Sequence, residues 1–180
     1  MARKKKGKEK RKGSFLEKIG LKTKPVPTED DVARANRYEN YERAWNYLRA
    51  SVDRNVRHYF ETGSFDKLGD LFDGPAKEAM LDQLERYRSA GIAWVQPARK
   101  ERTNQRFRVI SEQLDGDDLP QRFVIEERFT DYSELRSMGG EVKAADGKEQ
   151  VIRATIVVKS ADDYRIASVI KVPEATLQSS

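Results

Sequence analysis

The chain has no cysteine and a single histidine, His58. The first absence excludes disulfides, thiolate nucleophiles and thiolate-bound zinc together. The second leaves one imidazole for any triad or metal site, so metal chemistry built on histidine is not expected. Long apolar runs are also missing. The longest are short pieces such as Ile92–Val95 and residues 166–169, against the ~20 residues that a membrane-spanning helix requires. A basic start is present, but the apolar stretch of a secretory signal does not follow it. The expected location is therefore the cytoplasm, with attachment to a membrane surface left open. No glycine-rich phosphate loop exists either. Gly139-Gly140 lacks the strand-to-helix context, and Gly7 and Gly13 sit in a basic tail. No cofactor is expected.

What is present is concentrated at one end. Residues 1–24 hold eleven basic side chains against Glu9 and Glu17, a net of +9, whereas the whole chain is only +5. The rest must sum to −4, so a basic isoelectric point conceals a mildly acidic remainder. Residues 1–28 thus read as a basic arm and linker, disordered in isolation because such dense like charge repels itself. Its polyanion-binding residues are Arg3, Lys4, Lys5, Lys6, Lys8, Lys10, Arg11 and Lys12. Nucleic acid, including that of a ribosome, or an anionic membrane surface would satisfy them. No aromatic is interleaved between Arg3 and Lys12, so any nucleic-acid contact should ignore sequence. Phe15, Leu16 and Ile19 form a small apolar cluster near the arm, which could touch the domain or a bilayer.

The remaining ~150 residues are the usual size of one domain with its own core. Thr28 to Asp31 has the pattern of a capping box. Tyr38, Tyr41, Trp45, Leu48, Val52, Val56 and Tyr59 then recur at steps of three or four, which places them on one stripe of a long helix. Gly63 should end it. Ser64 should cap a second, short helix, and Pro75 should open a third with Ala76, Met80, Leu84 and Tyr87 inward and Gly91 as its stop. The period then changes to two. Strands are expected at 92–95, 105–114, 121–132, 151–159 and 164–172, with residues 133–150 as a long, partly mobile connection. Helices followed by antiparallel strands define an α+β domain over 29–172, with a flexible tail at 173–180.

This order resembles the nuclear-transport-factor-two-like, or cystatin-like cone, superfamily. The resemblance lies in the long first helix, in the break and short helix at 62–72, and in Tyr164-Arg-Ile-Ala-Ser-Val-Ile170. Members often close with a W-x-I-x-x-I strand, and Tyr164 stands where that tryptophan would be. The non-enzymatic branches are nearest, such as the translocase-motor-subunit domain and conjugation-scaffold domains. The resemblance implies three helices on one curved antiparallel sheet, a mouth that can hold a ligand, and a sheet face that can pair with a second copy.

Enzymes of the superfamily place a carboxylate, tyrosine or histidine inside the cone. His58 falls on the outer side of its helix and makes a poor base. In residues 123–129, alternation puts Phe123, Ile125, Glu127 and Phe129 on one face. A lone Glu127 among aromatics could serve as a base, but an ion pair with Arg153 or Arg108 on a neighbouring strand is the more ordinary fate. Trp45, Tyr59, Trp94, Phe107 and Glu127 could line a pocket, or simply fill the core. The expectation is a non-enzymatic binding or scaffolding module that forms homodimers or larger assemblies. The alternative is a small-molecule binder or an isomerase- or dehydratase-like enzyme using Glu127.

Overall fold

The computed structural model describes residues 27–95, 103–137, 139–145, 147 and 149–173. The polyanion-binding residues of the arm, and all but the first residue of the tail, lie outside the described residues. By its contacts the chain divides into a unit ending at Ala35 and a unit from Asn36 to Ser180. In the first, Thr28 and Asp31 form the expected capping box. The Asp31 N–H donates to Thr28 Oγ1 (3.1 Å) and the Thr28 N–H to Asp31 Oδ2 (3.0 Å). Glu29, Asp30 and Asp31 occupy the first turn, where the helix dipole favours negative charge.

Helix α1 spans Glu29–Thr62. In the second unit its Tyr41, Trp45, Leu48, Val52, Val56 and Tyr59 are buried, with Ala44 and Ser51 between them. The stripe read from spacing is thus the packing face, and Tyr38 at its upper end is half-buried. Gly63 stops the helix at φ 81°, its N–H donating to the Tyr59 carbonyl (2.7 Å). A side chain there would be strained, and its Cβ would stand 2.5 Å from Arg88 Nη1. That guanidinium lies over the Tyr59 ring, 5.6 Å from its centroid.

Helix α2 is one turn, Asp66–Gly69, and its N-cap is Phe65, not Ser64. The Ser64 hydroxyl donates to the Asp66 carboxylate instead (3.2 Å). Helix α3 spans Pro75–Ser89 with Pro75 in the first turn. Leu84 is its buried residue, while Ala76, Met80 and Tyr87 are half-buried, so this helix packs more shallowly than α1. Gly91, at φ 66°, follows its C-cap Ala90.

Among the described residues seven strands follow, forming two antiparallel sheets rather than one. Strands β2 (Thr103–Leu114), β3 (Pro120–Thr130), β6 (Glu149–Ser160) and β7 (Asp163–Lys171) build a four-stranded sheet in the order β2-β3-β6-β7. Strands β1 (Ile92–Val95), β4 (Glu134–Ser137) and β5 (Val142–Ala145) form a three-stranded sheet in the order β1-β4-β5. Both sheets are open at their edges. The last two of these strands lie within 133–150, expected as a long, partly mobile connection and not as strands. Each has only four residues, too few for a period of two to stand out, and the Gly139-Gly140 pair marks the turn of their hairpin. Gly140 takes φ 87° there and donates to the Ser137 carbonyl (2.9 Å).

The inner face of the four-stranded sheet meets α1. Phe123, Ile125, Ala154 and Ile156 are fully buried against the helix stripe, and Tyr41 stacks on Phe123 with centroids 4.1 Å apart. Tyr164 also meets Phe123, in an edge arrangement with centroids 6.3 Å apart. The segment between α2 and α3 covers part of the β7 edge. Asp73 N–H donates to the Ile166 carbonyl and Ile166 N–H to the Leu71 carbonyl, both 2.9 Å, in a parallel bridge at Phe72. Trp45 sits in the middle of this core at 3% exposure. Trp45→Ala should therefore cost roughly 3–5 kcal/mol, the range for emptying a large aromatic from a packed interior. Urea unfolding measures it, and an unchanged midpoint would contradict the helix-on-sheet packing.

Candidate functional site

Strand β3 carries two adjacent carboxylates, and the pleat sends them to opposite sides of the sheet. Glu127 points inward at 2% exposure and Glu126 outward at 7%. A buried carboxylate must find donors, because desolvating an uncompensated charge costs several kcal/mol. Glu127 finds them on α1. The Trp45 indole Nε1–H donates to Oε2 at 3.0 Å, and the Arg49 guanidinium pairs with Oε1. Trp45 and Arg49 are four residues apart, hence one turn on the same helix face. The partner of Glu127 is therefore on the helix, not the strand arginine that alternation alone suggested.

The strand arginines belong to Glu126. Arg108 of β2 and Arg153 of β6 are its direct cross-strand neighbours. Arg108 Nε reaches Oε1 and Arg153 Nε reaches Oε2, each at 2.8 Å. Burial alone would raise the Glu126 carboxyl. The hydrogen bonds and charges of Arg153 and Arg108 outweigh it and hold the group below the ordinary carboxylate value. A third polar tie joins α1 to β2. Arg37 pairs with Glu112 (Nη2 to Oε1, 3.2 Å), and the Tyr41 hydroxyl donates to Glu112 Oε2 (2.9 Å). Burial, and next the bond to that carboxylate, push the Tyr41 phenol up.

Of the five residues that could have lined one mouth, Trp45, Tyr59 and Glu127 lie in the interior. Phe107 is half-buried on the inner face of β2, opposite Glu127 in register. Trp94 does line a groove of about 230 Å³, with Phe60, Ala93 and Val95 as its apolar wall and Asp53, Arg57 and Glu61 around it. The structure does not bring the five together around that groove. His58 is half-buried on α1. Among the described residues, no group of three or more His, Asp or Glu side chains is placed to hold a metal ion. No helix among them is long and apolar enough to cross a membrane.

Sequence reasoning missed Arg49, Arg37 and Glu112. Arg49 carried a usable signal, since it follows Trp45 by four on the buried stripe. The pairing of Arg37 with Glu112 spans 75 positions and needs the register of β2 to be seen.

Helices on two open antiparallel sheets define the class as α+β. No family model and no curated protein matches the chain. Among solved structures it is similar to the intermembrane space region of the chloroplast protein ARC6, with a TM-score of 0.52 and 14% identity. The similarity covers 73% of this chain and 96% of that one. At that identity the likeness is one of fold alone.

Two measurements follow from this geometry. Arg49→Leu removes the guanidinium from a buried carboxylate and should cost about 3–5 kcal/mol near neutral pH. The double variant Arg49→Leu/Glu127→Leu should recover much of that loss, and denaturant titration of the three proteins would contradict the pairing if it does not. Glu126 sets the acid behaviour. Its folded pKa lies below its unfolded value, so its contribution is complete above about pH 4.3 and is lost as pH falls through the folded pKa. Glu126→Gln should be less stable at neutral pH and flatter below about pH 4.5. An acid limb as steep as the parent's would remove Glu126 from the account.

Proposed function

We propose that the chain is a non-enzymatic binding and scaffolding module, of the cone-domain kind that its element order resembles. The basic arm holds an anionic partner, either nucleic acid including the ribosome or an anionic membrane surface. The α+β domain serves protein association, and the module works in the cytoplasm or at the surface of a membrane facing it. One observation supports this over an enzyme. Glu127, the carboxylate best placed to act as a base, is held by Trp45 and Arg49 within a filled interior. A base must have a lone pair in reach of a substrate proton. A carboxylate committed to an indole and a guanidinium in the core instead fixes helix to sheet.

The arm's contribution follows from its charge. Net +9 in 24 residues, ahead of a remainder at −4, makes the arm the chief source of long-range attraction to polyanions. Lysine and arginine point charges without interleaved aromatics bind phosphates regardless of base sequence. The test uses full-length protein and a variant with Arg3, Lys4, Lys5, Lys6, Lys8, Lys10, Arg11 and Lys12 changed to glutamine. Both are titrated against duplex RNA, duplex DNA and vesicles containing phosphatidylserine at two salt concentrations. The parent should bind duplexes without sequence preference, and each phosphate neutralised should steepen the slope of log affinity against log salt by about 0.9. The neutralised variant should lose that binding. Equal affinity of the two proteins would overturn the reading, and vesicle binding that also requires Phe15, Leu16 and Ile19 would assign the arm to a membrane surface.

A further inference from the structure

We propose that the outer face of the four-stranded sheet docks an acidic protein segment bearing apolar side chains among its carboxylates. This rests on the protein-association half of the function proposed above and names the chemistry of the partner. The face is built around Glu126. Its two oxygens hold one arginine each, Arg108 and Arg153, so a single buried negative charge fixes two positive ones. The trio carries a net +1, and the two arginine side chains remain 58% and 37% exposed. Arg106 and Arg122 flank it on the same face, both exposed and with no ion-pair partner among the described residues. Arg128, the cross-strand neighbour of Arg106 on this face, is taken up by Glu149 at 3.3 Å, so the charges left over at these positions are guanidinium groups, the cations best shaped to take a carboxylate through two parallel hydrogen bonds.

Apolar surface lies in the same rows. Ile170 of β7 is the direct neighbour of Arg153, on the same face, and is 57% exposed. Ile110 of β2 is exposed at the bulge between Val109 and Ser111. Arginines fixed beside exposed aliphatic side chains are the composition of a protein-binding centre. A partner with carboxylates alone would leave the isoleucines wet.

Two other occupants fit this surface less well. An extended nucleic acid would meet negative charge at one end of the sheet, because the β2–β3 and β6–β7 turns lie together there. Those turns expose Asp117, Asp118 and Asp162, and no aromatic is exposed on the face to stack a base. A second copy of the chain, packed symmetrically through this face, would set arginines against arginines.

The experiment uses full-length protein with the eight arm cations changed to glutamine, so that the arm cannot answer for the sheet. The probe is a short fluorescent peptide of glutamates interspersed with leucines. Its controls are the same peptide with glutamine in place of glutamate, and a fluorescent RNA duplex. Arg106→Ser/Arg122→Ser and Ile170→Ser are then introduced. These remove exposed side chains from a face whose fold is held by others, and unchanged thermal unfolding verifies that the domain is intact. The acidic peptide should bind and the glutamine peptide should not. The double arginine variant should weaken binding by roughly tenfold, and Ile170→Ser by a smaller factor. The proposal is overturned if the arm-neutralised protein ignores the acidic peptide, or if neither variant changes its affinity. It is equally overturned if the RNA duplex binds as tightly and loses as much, or if sedimentation shows a dimer that Arg106→Ser/Arg122→Ser dissolves. Should the arm fail its own titration while the peptide still binds here, only the arm's role is lost.

Discussion

Two neighbouring carboxylates on one strand cannot share a partner, since the pleat turns them to opposite sides of the sheet. On β3 that constraint organises much of the domain. Glu127 is driven to the helix, where Trp45 and Arg49 meet it, and it thereby fixes how α1 lies along the sheet. Glu126 is driven outward, where it ties β2 and β6 to the strand between them. Apolar burial supplies most of the driving force for the core around Phe123, Ile125 and Leu48. It is not directional, however, and the charged contacts select one alignment from many that would bury similar area. The tie of Arg37 and Tyr41 to Glu112 repeats the device about two turns earlier on the helix.

The long helix was legible in the sequence because its signal is local and repeated. Seven apolar residues at helical spacing, a capping box at Thr28 and a glycine at 63 agree with one another, and the helix ends where they say. The hairpins β2–β3 and β6–β7 were legible for a similar reason, with long alternating runs around acidic turns. Strands β4 and β5 were not. They are short, and β4 pairs with β1 far away in the chain, so nothing local distinguishes them from a loop. The inward face of Glu127 followed from alternation, but its partner did not. Alternation describes a strand's own two sides and is silent about which helix side chain arrives opposite. Ser64 shows the same limit at close range, for its hydroxyl serves the Asp66 side chain rather than a free backbone N–H.

The likeness to the chloroplast domain, at 14% identity, reflects how few ways there are to lay an amphipathic helix across an antiparallel sheet. Folds of this kind carry many unrelated tasks, and the task is decided by the exposed side chains. In this chain Glu127 is paired in the interior, while Arg108 and Arg153 stand on the outer face of the sheet.

The register between β3 and β6 has a topological consequence. Thr130 and Glu149 are direct partners across the ladder, so the two ends of the intervening segment stand side by side, as at the base of a hairpin. The β4–β5 hairpin is thus a detour that leaves the four-stranded sheet and returns to the point of departure. Such a detour can lengthen, shorten or acquire another domain without shifting a single rung of the ladder beside it. Through the pairing of β4 with β1, any change there is felt next to Trp94, the register partner of Leu135. The smaller sheet is therefore free to diverge independently, while the larger one is held in register by its charges.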